Sequence, residues 1–134
     1  VQQSYWQAAF DVIFDAFPQG ASRRLGQVKY PLAIAFEQAD SLSMHRRSDE
    51  DLMLDIVQRL YNENPDAIYE LTKRMRTGLH SIAVLIGDMG GMTPSGWSDF
   101  CLRVIGDYPR LLQIRDNHER TPLHLFTLYL GDTA

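Results

Sequence analysis

Three stretches of the chain carry apolar residues at intervals of three and four, and each stretch ends at a proline. Such intervals place side chains on one face of a helix. Because proline disfavours helical geometry in the residue before it, each helix is predicted to end there, before Pro18, Pro65 or Pro109. The apolar positions are Trp6, Phe10, Ile13 and Phe17, then Leu52, Ile56 and Leu60, then Trp97, Phe100, Cys101, Val104 and Tyr108.

A further apolar run follows each proline and predicts another helix. It begins 12 residues after the proline, in KYPLAIAFEQAD (29–40), RTGLHSIAVLIGD (76–88) and RTPLHLFTLYLGD (120–132). Thr77 and Thr121 stand where an N-cap hydroxyl is favoured, and Pro31 and Pro122 suit the first helical turn. One pair of helices cannot bury its apolar face alone, so the pairs are expected to stack on one another.

The alternation is an internal repeat. Residues 65–88 and 109–132 align without a gap at an offset of 44 and share seven of 24 residues, against about one or two expected from ordinary composition. The identical pairs are Pro65/Pro109, Arg76/Arg120, Thr77/Thr121, Leu79/Leu123, His80/His124, Gly87/Gly131 and Asp88/Asp132. The copy that begins at Pro18 lies 47 residues before the second and is degenerate. A repeat at this period predicts an all-α helical-repeat solenoid.

The phrase RTPLH (120–124), preceded by RDN, resembles the ankyrin repeat, as does RTGLHSIA (76–83). The resemblance implies that the helix opened by this phrase is the first of each pair and that the helix ending at the next proline is the second. It also implies that Thr77, His80, Thr121 and His124 stabilise the starts of first helices, and that the helix pairs form a curved solenoid. Three departures stand against the strict pattern. The period exceeds the family's roughly 33 residues, inserts are expected at about 40–49 and 88–96, and Met75 and Glu119 replace the glycine usual before the Thr. HEAT or armadillo repeats, with periods of about 40–47, are the alternative fold.

Length and composition indicate one domain, residues 1–134, which ends on a lone first helix and is therefore expected to be a fragment of a longer array. No apolar run approaches the roughly 18 residues of a membrane span. The one cysteine, Cys101, allows no internal disulfide and fits a reducing compartment. We therefore expect an intracellular protein, cytoplasmic or nuclear.

Charge is distributed unevenly between the repeats' connecting segments and the rest of the chain. Residues 18–30, 65–77 and 109–121 hold nine basic and four acidic residues, whereas the remainder holds four basic and 13 acidic ones. Stacked in register, these segments form a basic stripe that, together with the inserts between the helices, is presented to a protein partner of acidic character. The predicted contacts are Arg23, Arg24, Lys73, Arg74, Arg115 and His118. Solvated turns, or an accessory subunit that only fills a contact in an assembly, are the alternatives.

Apolar residues also continue onto positions of the first helices where charge is expected, at Val84, Leu85, Leu128 and Tyr129. They either pack under the inserts or against the next repeat, or they form a partner groove in which Tyr129 is the anchor.

Other functions find little support in the residues. The acidic total and the scarcity of aromatic residues in the basic segments argue against nucleic-acid binding. The glycine-rich stretch 87–97 matches no phosphate-binding motif. The resemblance assigns structural roles to His80 and His124, and the spacing of the remaining His45 and His118 matches no metal-ligand pattern. We therefore expect no catalysis, no metal and no cofactor.

Overall fold

The computed structural model describes residues 2–23, 29–41, 47–89 and 95–133, and within these ranges its regular structure is entirely helical. The fold class is therefore all-α, as predicted. The α-helices of the described ranges are α1 (Gln2–Ala16), α2 (Pro31–Ser41), α3 (Arg47–Glu63), α4 (Gly78–Met89), α5 (Ser95–Asp107) and α6 (Pro122–Thr133).

Each predicted proline stop is confirmed, because α1, α3 and α5 all end two residues before a proline. The proline then opens a 3-10 turn that the sequence pattern had not predicted. These three proline turns span Pro18–Ser22, Pro65–Tyr69 and Pro109–Gln113. The residue before each proline has φ between −148° and −136° and ψ between 70° and 74°, so one backbone conformation recurs three times.

The core lies between the helices that follow the first proline turn. α4 contacts α2, α5 and α6, and α2 also packs against α3. The predicted core positions Ile56, Leu60, Phe100, Cys101 and Val104 are buried, as expected from their helical spacing. The largest fully buried side chains are Trp97, Tyr61, Phe36, Phe100, Leu32 and Ile68.

The prediction for the apolar face of α1 is partly wrong. Ile13 and Phe17 are exposed, although the helical spacing placed them in the core. Among the α1 side chains that the structure describes, Phe10 and Phe14, whose ring centroids lie 5.6 Å apart, pack against the core cluster. The side chain of Trp6, also predicted on this face, lies outside the described residues. The helical period was correct, but a period does not determine how much of a face a neighbouring helix covers.

The predicted inserts are shorter than expected. In the insert placed at 40–49, residues 40–41 belong to α2 and residues 47–49 to α3; in that placed at 88–96, residues 88–89 belong to α4 and 95–96 to α5. Each helix extends a few residues beyond its apolar positions, so the helices include the residues at both ends of each insert. Residues 42–46 and 90–94 lie outside the described ranges.

Candidate protein-interaction surface

The first helices α4 and α6 begin with the same Thr–His contact. The backbone N–H of Thr77 donates to His80 Nδ1 at 3.1 Å, and that of Thr121 donates to His124 Nδ1 at 3.1 Å. The two hydroxyl oxygens lie 3.0 and 2.8 Å from the same ring nitrogens. Thr77 and Thr121 occupy the predicted N-cap positions, but their hydroxyls contact an imidazole and not a backbone N–H.

His80 also joins two successive repeats. Its Nε2 lies 2.9 Å from the backbone carbonyl oxygen of Arg120, which only accepts hydrogen bonds. Nε2 therefore carries the proton and Nδ1 accepts from Thr77. Burial lowers the pKa of His80, although the carbonyl of Arg120 and the carboxylate of Asp116 oppose that shift. The ring is thus held neutral as a structural link.

Two hairpin-like turns precede these helices, and we call residues 72–76 and 116–120 the tip turns. In each turn the backbone N–H of the first residue donates a hydrogen bond to the carbonyl of the last residue. The distance is 2.8 Å from Thr72 N to Arg76 O and 2.9 Å from Asp116 N to Arg120 O. Asn117 N donates to the carbonyl of Arg74 at 2.8 Å, so the tip turns lie side by side.

The tip turns use positive φ at residues other than glycine. Met75 has φ 57° and Glu119 has φ 60°, at the two positions where the expected glycine is missing. Arg74 also has a positive φ of 67°. This region disfavours a Cβ atom, so the turns retain a glycine-type conformation without glycine.

A buried charge cluster lies beneath the tip turns. The carboxylate of Asp116 is fully buried, and its Oδ2 lies 3.6 Å from Arg76 Nε and 3.4 Å from Arg120 Nε. Its Oδ1 accepts backbone N–H bonds from His118 and Arg120, each at 2.9 Å. Burial alone would raise the pKa of Asp116, but these bonds and the two guanidinium groups outweigh it and hold the pKa below its usual value.

Two basic residues of the predicted stripe are paired with acidic residues nearby. The Arg76 side chain is buried against Asp116, and Lys29 pairs with Glu37 outside the connecting segments. Both had been counted as part of the stripe, but their charges are compensated locally. Composition alone could not separate a buried cation from a solvated one.

The remaining predicted contact residues lie in different places. Arg74, Arg115 and His118 are exposed, and the hydrogen bond between the tip turns brings Arg74 and His118 into neighbouring turns. Arg23 is exposed at the end of the first proline turn, with its guanidinium 5.5 Å from the centre of the Phe17 ring. Arg24 lies outside the described residues, as do the side chains of Lys73 and Tyr129.

The degenerate first copy uses a different partner at the start of its helix. Tyr30 stands at the position of Thr77, and Ala33 stands where His80 would be. The Tyr30 N–H donates to Glu70 Oε1 at 2.7 Å, so a carboxylate from the next copy accepts the bond that an imidazole accepts elsewhere.

Sequence reasoning missed a contact between successive second helices. The Arg59 guanidinium lies 5.2 Å from the Phe14 ring centre, and that of Arg103 lies 5.0 Å from the Tyr61 ring centre. Each Arg also bonds a polar residue of the preceding second helix, Asp15 for Arg59 and Asn62 for Arg103. The signal was in the sequence, because the rings and the arginines recur at the repeat offsets of 47 and 44.

Val84 and Leu85, which were predicted on an apolar face of α4, are buried. Val84 packs with Ala83 against Leu125 and Phe126 of α6, which supports the interpretation that the next repeat covers this face. The corresponding residue Leu128 of α6 is exposed.

Among the described helices, none combines the length and apolar character required to cross a bilayer. The described His, Cys, Asp and Glu side chains form no group of three suited to a metal ion. The Cys101 thiol is buried, which raises its pKa to about 11. No family model, curated protein or solved structure matches the chain significantly.

Proposed function

We propose that this chain is an ankyrin-like helical-repeat module that binds a protein partner through its tip turns. The proline turn recurs at offsets of 47 and 44 residues, and the tip turn and the Thr–His contact recur at the offset of 44, which supports a stacked-repeat architecture. In such stacks, turns of successive repeats form an extended recognition surface.

The observation that carries this proposal is the separation of charge within the tip turns. The Asp116 carboxylate is buried between Arg76 and Arg120, whereas Arg74 and His118 of the tip turns, and Arg115 directly before the second tip turn, are exposed. The exposed acid Glu119 reduces the positive charge but does not reverse it. Preorganised cations of this kind favour an acidic partner and accelerate its association.

The test is affinity capture from a native lysate after nuclease treatment, at low and moderate salt. One bait carries Arg74→Glu and Arg115→Glu, and a second adds Arg23→Glu, Arg24→Glu and Lys73→Glu. The matched control carries Arg46→Glu and Arg47→Glu, which reverse two charges of the insert region and leave the tip turns unchanged. We expect the tip variants to lose a partner that the wild type and the control retain, with unchanged circular dichroism.

An accessory subunit in a larger assembly is the second candidate function, and the exposed apolar residues of α1 and α6 favour it. Capture that survives charge reversal at the tips but fails with Leu123→Glu or Ile13→Glu would replace the first proposal with this one. We propose an intracellular location on the basis of cysteine usage. The proposal includes neither catalysis nor nucleic-acid binding.

A further inference from the structure

Apolar residues of α1 and α6 are exposed at repeat positions that are buried in the helices between them. Ile13 is 70% exposed, whereas Leu60 and Val104, at offsets of 47 and then 44, are 6% and 0% exposed. On α6, Leu123 is 69% and Leu128 is 49% exposed, whereas their counterparts Leu79 and Val84 on α4 are 0% and 7% exposed. Apolar residues at repeat positions that are buried elsewhere are therefore solvent-exposed on two faces, one on α1 and one on α6.

The interface between α4 and α6 shows what covers such a face within the chain. Ala83 and Val84 of α4 pack against Leu125 and Phe126 of α6, and His80 Nε2 donates to the carbonyl of Arg120. The covering surface thus consists of the next first helix and the backbone carbonyl just before it. On α6, His124 is exposed and lines an open depression of about 390 Å³ with Leu123, Thr127 and Leu128. We call these four residues the α6 face.

The chain carries the matching surface at its first copy. By the repeat offsets, the carbonyl of Lys29 corresponds to that of Arg120, and Ile34 and Ala35 of α2 correspond to Leu125 and Phe126. Ile34 and Ala35 are only partly buried. Helix α1, with exposed Val12 and Ile13, is a second helix in the repeat order, as is α5, which contacts α4. We call Ile13, Ile34, Ala35 and the Lys29 carbonyl the α1–α2 face.

We propose that two copies of this chain associate head to tail, with the α6 face of one copy on the α1–α2 face of the next. In this arrangement α6 of the first copy and α1 of the second form one helix pair. His124 Nε2 donates to the Lys29 carbonyl of the second copy, as His80 does to Arg120 within one chain. A second copy is the occupant because its α1–α2 face continues the α4–α6 interface position by position.

The contact joins two different faces, so each dimer retains one free face of each kind and can add further copies. This distinguishes it from a self-complementary dimer, which stops at two. The proposal uses neither Arg74 nor Arg115, and it therefore stands or falls independently of partner binding at the tip turns.

The first experiment measures mass by light scattering and sedimentation from about 1 μM to about 1 mM protein. The wild-type mass is expected to rise with concentration from 15.3 kDa to multiples of that value. Leu123→Glu and Ile13→Glu are each expected to stay at the monomer mass. The matched control is Leu102→Glu on α5, which is 69% exposed like Leu123 and should associate as the wild type does. All three substituted residues are solvent-exposed, and circular dichroism verifies the fold of each variant.

The second experiment mixes the Leu123→Glu and Ile13→Glu variants in equal amounts. Each pair retains one intact α6 face and one intact α1–α2 face, so the mixture should form a dimer of twice 15.3 kDa and grow no further. Wild-type protein that stays monomeric over the whole range would overturn the proposal. Association that persists in Ile13→Glu alone, or a mixture that fails to form the dimer, would overturn the head-to-tail arrangement.

Discussion

At the scale of single residues, the tip turns show how a repeat phrase constrains positions that lie outside the phrase itself. Met75 and Glu119 each precede a helix-opening Thr, and both adopt a positive φ. The sequence comparison identified these positions as departures from a glycine pattern. The structure adds that the backbone keeps the conformation which favours glycine, so each side chain is accommodated at a cost.

Restoring glycine at these positions should therefore stabilise the fold. A residue with a Cβ atom is destabilised by roughly 1–2 kcal/mol in the left-handed region. Glycine avoids this strain, but part of the gain is offset because glycine loses more conformational entropy on folding. We expect Met75→Gly and Glu119→Gly each to raise the free energy of unfolding in urea by about 0.5–1 kcal/mol. Met75→Ala and Glu119→Ala keep the Cβ atom and serve as controls. Equal stabilities for the Gly and Ala variants would show that the backbone relaxes out of this region.

His80 predicts how stability depends on pH. Its pKa is lowered in the folded state, chiefly by burial, so the unfolded chain binds its proton more readily. The stability that neutral His80 provides is complete above the unfolded pKa of about 6.5 and declines as pH falls from there through the folded pKa. The corresponding loss for Asp116, whose pKa is also lowered, begins only as pH falls below about 3.9.

We therefore expect the free energy of unfolding to fall between about pH 7.5 and 5.5 more steeply in the wild type than in His80→Gln. At neutral pH the variant should itself lose about 1–3 kcal/mol, because Thr77 N–H and the Arg120 carbonyl lose their partner. His124→Gln, the same change at the equivalent exposed site, is the matched control. Parallel slopes for the wild type and His80→Gln would contradict the assignment of the neutral tautomer.

At the scale of elements, helix positions followed from the sequence, and the turns between them did not. Apolar spacing and proline identified where α1, α3 and α5 end, because both signals are local. The tip turns depend on backbone hydrogen bonds that no apolar pattern marks, such as the bond from Asn117 N to Arg74 O between two copies of the repeat. The buried pairing of Arg76 with Asp116 likewise required the two repeats to be brought together.

Gly78 illustrates an element start fixed by packing. It opens α4 where the other copies open with Pro31 and Pro122. A Cβ atom there would lie 2.9 Å from Phe36 Cε2 and closer still to Ile68 Cδ1. We expect Gly78→Ala to lower the free energy of unfolding by about 1–3 kcal/mol despite the better helix propensity of Ala.

Gly106 in α5 is the matched control for that substitution. A Cβ atom at Gly106 meets nothing within 4 Å, so Gly106→Ala should raise stability by about 0.5–1 kcal/mol. Urea denaturation of both variants provides the measurement. A neutral or stabilising Gly78→Ala would mean that Ile68 and Phe36 can move aside, and that the contact does not determine the residue at this position.

At the scale of the whole molecule, the contacts join neighbouring repeats in series. The second helices are linked through Arg59 and Arg103, and the first helices through His80 and the packing of Val84 on Leu125. For repeats stacked as proposed above, stability is a sum of repeat and neighbour contributions, so a local loss need not spread along the chain. The location of a core substitution should therefore determine how much of the molecule opens.

Leu125→Ala tests this expectation at one end of the series. Leu125 is fully buried in the small cluster that holds α6 on α4, and its truncation should cost about 2–5 kcal/mol in the local stability of α6. By hydrogen exchange and mass spectrometry at low protein concentration, protection should fall in α6 and the 116–120 tip turn and persist in α2 to α5. Leu79→Ala, the same change at a fully buried position of α4, should lower protection across α2 to α5, because Leu79 belongs to the main core. If both variants lose protection uniformly, the chain unfolds as one cooperative unit and its repeats do not contribute separately.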